Sequence, residues 1–360
     1  MSKHALHTAA AVTAVLALTG TLTACGGTGP GSSGEDDKTV TLVTHDSFAA
    51  SKPVLKDFTR QTGYKVKVLR GGDAGAAVNQ TVLNKGNPQG DVFFGVDNTL
   101  LSRPLNEGVF APHRAKGLSQ VPDELQLDKG RHRVTPVDSG EICVNYDRGY
   151  FEDKKLKPPE KLADLAEPEY KNLLVTSNAA TSSPGLGFLL ATVDEYGKGW
   201  KDYWKKLRAN GVEVVDGWEQ AYNDRFSGSK GGKGKGERPL VVSYASSPPV
   251  EVLGKKPLPE QAPTGIAKGT CFRQTEFAGL LKGARNPEGG KALLDFMLSR
   301  KFQEDLPLQM FVNPVRKDAE LPELFKKYGE SVGDAATMPP AKIAAHREQW
   351  IKSWTSLAVK

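Results

Sequence analysis

The sequence contains little cysteine, with 3 in 360 residues, and its 6 histidines are scattered along the chain. Their spacing fits neither a serine–histidine–aspartate arrangement nor a metal-ligand cluster, so we expect no catalytic centre and no bound metal. The glycine-rich segment from Gly228 to Pro239 lacks the Gly-Lys-Ser/Thr ending and the preceding strand of a P-loop. The 48 Lys and Arg exceed the 42 Asp and Glu only modestly, and no arginine-rich helix carries interleaved aromatic residues. We therefore expect no nucleic-acid partner and no cofactor, and we expect that the protein is not an enzyme.

Long apolar runs are scarce too. The run from Ala9 to Leu18 is too short to span a membrane stably, and with Lys3 before it and small residues after it, it predicts a secretory signal over residues 1–24. The ending Leu22-Thr23-Ala24-Cys25 resembles the bacterial lipoprotein signal, in which the cysteine is lipidated, and a plain secretory signal with an incidental cysteine is the alternative. Residues 25–38 are polar and glycine-rich, which predicts a flexible tether. We expect an exported protein anchored through Cys25 to the outer face of the cytoplasmic membrane, or in the periplasm.

Two cysteines remain beyond this segment, Cys143 and Cys271. Each lies in a segment with the composition of a strand. In an exported protein an isolated pair of this kind is usually oxidised, so we predict a disulfide between them. The alternative is two buried thiols that never meet.

The first hundred residues of the mature chain repeat one pattern, a short apolar strand followed by a polar turn and a helix. The strands are predicted at 40–44, 64–69 and 91–96, which indicates a parallel, doubly wound sheet. Such sheets bind ligands at the carboxyl ends of their strands. We also predict that Ser47 caps the first helix. The polar residues at these strand ends include His45, Asp46, Ser47 and Asp97.

Two extended passages, Arg133 to Tyr146 and Thr270 to Ala278, have the character of crossings between two lobes. Since the chain would cross outward once and return once, the first lobe must be discontinuous. We predict that residues 39–138 and 273–360 form the first lobe and that residues 139–272 form the second.

Five segments carry a resemblance to a known family. HDSFA at 45–49, GDVFFGVDN at 90–98, TSSPGLGFLL at 181–190, GWEQAY at 217–222 and SYASSP at 243–248 occur in the same order as in bacterial thiamine-binding proteins. Those proteins are the substrate-binding components of ABC-type thiamine importers. The resemblance implies the two-lobed α/β fold of type II periplasmic binding proteins, each lobe a doubly wound, mostly parallel sheet with helices, with two hinge crossings. It also implies a monomeric lipoprotein that delivers a small molecule to ABC permease subunits.

The resemblance further implies a cleft in which the cationic thiazolium ring of thiamine, or of its phosphate ester, lies among aromatic rings and acidic groups. His45, Val250 and Phe311 stand where the family has a tyrosine, a second aromatic residue and a tryptophan. Each lost ring weakens the cation–π attraction, and a protonated His45 would repel the cation, so affinity is predicted to fall as the pH drops through ~6.5. The predicted ligand-binding residues are His45, Asp46, Ser47, Asp73, Asp97, Ser182, Trp218, Tyr222, Tyr244 and Phe311.

Three alternatives stay open at this point. A ferric-ion receptor of the same fold typically presents two adjacent tyrosines, which the chain lacks. A polyamine receptor would need several cleft carboxylates, and Asp46, Asp73, Asp97 and Asp138 keep that reading open. An enzyme similar to thiaminase I would use Cys143 as its nucleophile, which a bond to Cys271 would prevent.

Overall fold

The computed structural model describes residues 38–229 and 236–359. The predicted signal peptide, Cys25, and nearly all of the predicted tether lie outside the described residues. Within them the strands are β1 (Thr39–Thr44), β2 (Lys65–Arg70), β3 (Val92–Asp97), β4 (Phe110–Ala111), β5 (Thr135–Asp147), β6 (Leu174–Ser177), β7 (Glu213–Val215), β8 (Leu240–Tyr244), β9 (Thr264–Leu281) and β10 (Asn313–Pro314). The helices are α1 (Lys52–Thr62), α2 (Ala74–Leu83), α3 (Ser102–Asn106), α4 (Arg148–Lys154), α5 (Ser183–Tyr196), α6 (Trp200–Ala209), α7 (Pro287–Met297), α8 (Arg300–Met310), α9 (Glu323–Tyr328) and α10 (Pro340–Ala358).

The strands form one continuous sheet in the order β2-β1-β3-β9-β5-β8-β6-β7, with β4 paired to β9 and β10 paired to β5. At one end β1 runs parallel to β2 and β3, and at the other β6 runs parallel to β7 and β8. The strands β9 and β5 lie between these parallel groups and pair antiparallel with each other and with β3 and β8. We call the half built on β2-β1-β3 the first lobe and the half built on β8-β6-β7 the second lobe.

The parallel strands β1 and β3 are covered on both faces. Side chains of a strand alternate between faces, and in β1 Leu42 and Val43 belong to two different apolar clusters on opposite sides of the sheet. Neighbouring Phe93 and Phe94 of β3 divide in the same way. This explains why β3 is buried at every position, as the nearly continuous apolar sequence indicates.

Helix α1 begins later than the sequence predicts. Ser51, and not Ser47, caps it, because the Ser51 hydroxyl accepts from the Val54 backbone N–H and Pro53 occupies the first turn, where no amide donor is needed. The intervening residues form a turn in which Phe48 is buried with its ring edge-on to Phe94 at 5.5 Å. Ser47 therefore does not cap the helix.

The two predicted crossings are the longest strands, β5 with 13 residues and β9 with 18. They pair along their whole common length, with a register shift between Ile142 and Val144. Cys143 and Cys271 are joined there by a disulfide, as predicted from the sequence.

The predicted lobe boundaries stay a proposal, and the last helix shows why the division is not simple. In α10, Arg347 donates hydrogen bonds to the carbonyls of Thr99 and Leu100 in the first lobe. Two turns further along the helix, Trp354 packs edge-on against Trp204 of α6 in the second lobe, with ring centroids 5.4 Å apart. Helix α10 therefore contacts both lobes. None of the helices among the described residues combines the length and apolar character needed to cross a membrane.

Candidate functional site

A cavity that is partly open to solvent lies between the lobes. Its walls come from the ends of β1 and β8, the first turns of α2 and α5, the turn after β7, the middle of β9 and the end of α8. It is lined by His45, Ser47, Asp73, Ala74, Ser183, Pro184, Trp218, Glu219, Asn223, Tyr244, Glu276, Gln309, Met310, Phe311 and Val312.

His45 and Ser47 enter the cavity where β1 ends. The Nδ1 of His45 lies 3.0 Å from the Ser47 hydroxyl, which orients the ring. Gly95 of β3 makes room for it, since a Cβ at that position would collide with the imidazole. Burial, and then the charge of Arg70, lower the pKa of His45 to about 4. The ring is therefore neutral at physiological pH.

Asp73 caps α2 and also reaches across the cleft. Its carboxylate accepts from the Ala74 N–H at 2.6 Å, at the start of its own helix, and from the Trp218 N–H of the second lobe at 2.8 Å. Burial raises the pKa of Asp73 to about 6 in spite of these donors. Beside it the Ala76 N–H donates to the Thr181 carbonyl at 3.1 Å, so the first turn of α2 fastens the two lobes together.

Aromatic rings form the wall opposite His45. Trp218 stacks on Tyr222 with centroids 5.1 Å apart, and its indole N–H donates to the Ser243 hydroxyl at 2.9 Å. The ring centroid of Tyr244 lies 6.3 Å from that of Trp218, with the two planes tilted by 55°. The ring of Phe311 is edge-on to Trp218, with centroids 5.9 Å apart. A planar ligand ring therefore cannot be held between Trp218 and Tyr244 in a parallel stack, although both rings face the cavity.

Phe311 takes a backbone conformation that a bulky side chain rarely adopts. Its φ of 60° lies in the left-handed region, where it ends α8. The Ser246 hydroxyl of the second lobe donates to the Phe311 carbonyl, which ties this strained residue to the opposite lobe. Backbone strain of this kind is typical of residues that serve a site rather than the core.

The floor of the cavity is acidic. Glu276 of β9 faces it with 4% of its surface exposed, and Asp138 of β5 and Asp97 at the end of β3 lie buried close by. Asp97 accepts from the Thr99 and Leu100 N–H groups and from the Gln274 side chain. Among the described residues, no lysine or arginine forms an ion pair with Asp73, Asp97, Asp138 or Glu276. The site thus combines aromatic walls with carboxyl groups that have no resident countercharge.

Comparison with known proteins agrees with this geometry. The family described as bacterial extracellular solute-binding protein matches residues 87–330, about two thirds of the chain. The chain belongs to this family. Its relatives include the thiamine-binding periplasmic proteins of Escherichia coli strain K12, 31% identical over 321 residues, and of Salmonella typhimurium strain LT2, 32% identical over 324 residues. Each alignment covers 88% of this chain and 92% of the relative.

A solved structure titled periplasmic thiamin binding protein superposes with a TM-score of 0.75 at 28% identity, covering 89% of this chain and 96% of that one. The fold predicted from the resemblance, that of type II periplasmic binding proteins, is therefore confirmed. Members of the family are extracellular or periplasmic solute-binding proteins.

Six of the ten predicted ligand-binding residues line the cavity of this family member: His45, Ser47, Asp73, Trp218, Tyr244 and Phe311. The other four lie beside it. Asp46 is exposed at the rim, and Asp97 is buried below the floor. Ser182 is buried, with its hydroxyl donating to Ser177 at 2.8 Å, and Tyr222 supports Trp218 from behind while its hydroxyl donates to Glu251 at 2.8 Å.

Two expectations from the sequence are corrected. The affinity loss predicted near pH 6.5 does not follow, because burial moves the titration of His45 down to about pH 4. Val250, which the resemblance matches to an aromatic residue of the family, lines an adjoining pocket and not this cavity. Cys143 is bonded to Cys271, so its sulfur is not the free nucleophile of an enzyme similar to thiaminase I.

Glu276, Ser183, Glu219 and Asn223 also line the cavity, although they were not predicted from the sequence. Glu276 had one available signal, since it is a lone carboxylate within the apolar half of β9, between Thr275 and Phe277. A carboxyl that is buried in a cleft without a positively charged partner is a candidate functional position.

Proposed function

We propose that this protein captures thiamine or a thiamine derivative in the cleft between its lobes and delivers it to an ABC-type import permease. The observation that carries this proposal is the composition of the cleft. Four buried carboxyl groups lie beside an aromatic wall, and none of them has a lysine or arginine partner among the described residues. Buried carboxylates need a compensating charge, and an organic cation with flat rings supplies it. The names of the relatives point to the same ligand.

In this proposal the ligand rings lie against the exposed surface of Trp218 and against Tyr244. Asp73 and Glu276 face the positive charge, while Asp46 acts from the rim through a longer distance. Ser183 and Asn223 offer hydroxyl and amide groups to a polar end of the ligand. Ser182 and Tyr222 hold these contact residues in position, and Asp97 secures the turn below them.

Calorimetry tests the ligand. We expect thiamine or thiamine monophosphate to bind the wild-type protein, and we expect Trp218→Ala to weaken binding at least tenfold, since it removes the largest ring of the wall. Trp350→Ala, which removes the same side chain from a half-buried position on α10, is the matched control and should bind like the wild type. Heat of binding with spermidine or ferric citrate, and none with either thiamine compound, would instead support a polyamine receptor or a ferric-ion receptor.

We further propose that Cys25 carries a lipid anchor and that the protein works as a monomer at the outer face of the cytoplasmic membrane. The support is the Leu-Thr-Ala-Cys ending of the predicted signal. Cys25→Ser should move the protein from the membrane fraction to the soluble fraction. A variant that stays membrane-bound after this change would contradict the anchor.

A further inference from the structure

Two carboxyl groups face each other on the crossing strands below the cleft. Asp138 of β5 and Glu276 of β9 are direct partners in the antiparallel register, which places their side chains side by side. Both are almost fully buried, with 1% and 4% of their surface exposed. Two ionised carboxylates buried side by side repel each other, and neither can donate a hydrogen bond to the other, so this arrangement favours a proton on one of them.

The surroundings do not supply another stabilising charge. The nearest group able to become positive is His45, whose Nε2 lies 3.7 Å from Oε1 of Glu276, beyond hydrogen-bond distance. That nitrogen and Oδ2 of Asp138 have no protein hydrogen-bond partner among the described residues. The other ionisable groups facing the pair are the carboxyls of Asp73 and Asp97 and the phenol of Tyr244, none of which adds positive charge.

We propose that Asp138 and Glu276 hold one shared proton in the ligand-free protein and release it to solvent when a cationic ligand binds. The inference rests on the proposed function and defines its ligand class as an organic cation with a permanent charge. The exchange balances: a pair with one proton carries one negative charge, and a fully ionised pair beside a monovalent cation carries the same net charge. A neutral ligand provides no such exchange and would leave the proton in place.

The ionisation of the two groups agrees with this arrangement. Burial raises the pKa of Asp138 to about 7, and it raises the pKa of Glu276 well above the usual range, with the neighbouring carboxylates of Asp138 and Asp97 adding to the effect. One of the two is therefore ionised and the other protonated slightly above neutral pH. Glu276 lines the cavity and Asp138 lies behind it, so Glu276 is the group that faces the cation.

The test is calorimetry of thiamine binding at about pH 7.5 in phosphate and in Tris, whose ionisation enthalpies differ widely. We expect the wild-type enthalpy to differ between the buffers by the amount that corresponds to release of close to one proton per ligand. Glu276→Gln should lose this difference and bind thiamine at least tenfold more weakly. Asp138→Asn should also lose it but still bind, because the amide donates to an ionised Glu276.

The control is Glu141→Gln. Glu141 lies on the same strand as Asp138 but does not line the cavity, so this change should leave the buffer dependence intact. If thiamine binds with the same enthalpy in both buffers, the proposed release of a shared proton is wrong, while the proposed function is still supported. Absence of thiamine binding in the wild type would overturn both.

Discussion

At the scale of single residues, burial decides the chemistry of the cleft more than residue type does. His45 and Asp138 are ordinary titratable groups in the sequence, yet burial lowers the pKa of the first to about 4 and raises that of the second to about 7. Both shifts favour the uncharged form, as expected when ionisable groups leave water without a partner. The ligand-free cleft is therefore less charged than its sequence suggests.

The raised pKa values of Asp73 and Asp138 predict that the ligand-free protein loses stability as the pH rises from about 5 to about 8, and the lowered pKa of His45 offsets part of this loss below pH 6.5. The folded-state pKa values of Asp73 (about 6) and Asp138 (about 7) lie above the ordinary value of 3.8, so in this window the folded chain binds more protons than the unfolded chain. Their stabilising effect is complete below the ordinary pKa and is lost as the pH rises through the folded-state values. The loss should be on the order of 2–4 kcal/mol, since one pKa unit corresponds to about 1.4 kcal/mol.

Urea unfolding at the two pH values measures this effect. Asp138→Asn should reduce the difference between them, because the amide does not titrate. Asp153→Asn, which changes an exposed carboxyl on α4, is the control and should reproduce the wild-type difference. An Asp138→Asn variant with the full wild-type difference would show that this carboxyl titrates normally.

At the scale of elements, the first turn of α2 makes a direct contact between the lobes beside the cleft. It is capped by Asp73, which also binds the Trp218 N–H, and it places Gly75 directly against the Thr181 backbone. A Cβ on Gly75 would lie 2.7 Å from the carbonyl carbon of Thr181 and 2.8 Å from its oxygen. Backbone atoms cannot move aside as a flexible side chain can, so the contact between the lobes depends on glycine at this position.

We predict that Gly75→Ala weakens thiamine binding at least tenfold by keeping the lobes apart. The substitution should not destabilise α2 itself, since alanine is favoured over glycine in a helix by about 1 kcal/mol. Calorimetry gives the affinity, and small-angle X-ray scattering of the ligand-saturated variant should give a larger radius of gyration than the wild type. Gly86→Ala, where a Cβ meets nothing within 4 Å, is the control. Wild-type affinity and radius in Gly75→Ala would refute the role of this contact.

At the scale of the whole molecule, β5 and β9 connect the lobes and carry the buried carboxyl pair. The disulfide between Cys143 and Cys271 joins them at the register shift, across 128 positions of sequence. Closing so long a loop restricts the unfolded chain. The two strands that connect the lobes are therefore covalently joined to each other at one point.

We predict that replacing both cysteines by serine lowers the free energy of unfolding by about 2–4 kcal/mol. Urea unfolding of the double variant against the wild type measures the loss, and wild type under reducing conditions should match the variant. Thiamine affinity should change little, because neither cysteine lines the cavity. Labelling of two free thiols in the denatured, unreduced wild type would show that the bond does not form in the protein.

Much of this architecture could be predicted from the sequence because it depends on local patterns. Short apolar runs followed by polar residues located β1, β3 and β8, and the polar end of β1 led to His45. The ligand-binding roles of Asp73, Trp218 and Tyr244 came from the resemblance to thiamine-binding proteins. The pairing of Cys143 with Cys271 followed from their scarcity and from the strand-like segments around them. The predicted start of α1 was wrong because Ser47 and Ser51 are both good capping residues, and Pro53 together with the burial of Phe48 favours Ser51.

The sequence by itself determined the strand and helix pattern and the two crossings, since these follow from short-range spacing, and its resemblance to a known family supplied most of the aromatic and acidic candidates. Only the tertiary structure decided which of them face the cleft. The register of β5 and β9 places Glu276 beside Asp138, although 138 positions separate them in the chain. The packing of Tyr222 against Trp218 removes one face of the indole from the ligand, and the rim position of Asp46 leaves it in solvent. Burial and long-range register set these outcomes, and neither is encoded in the spacing of neighbouring residues.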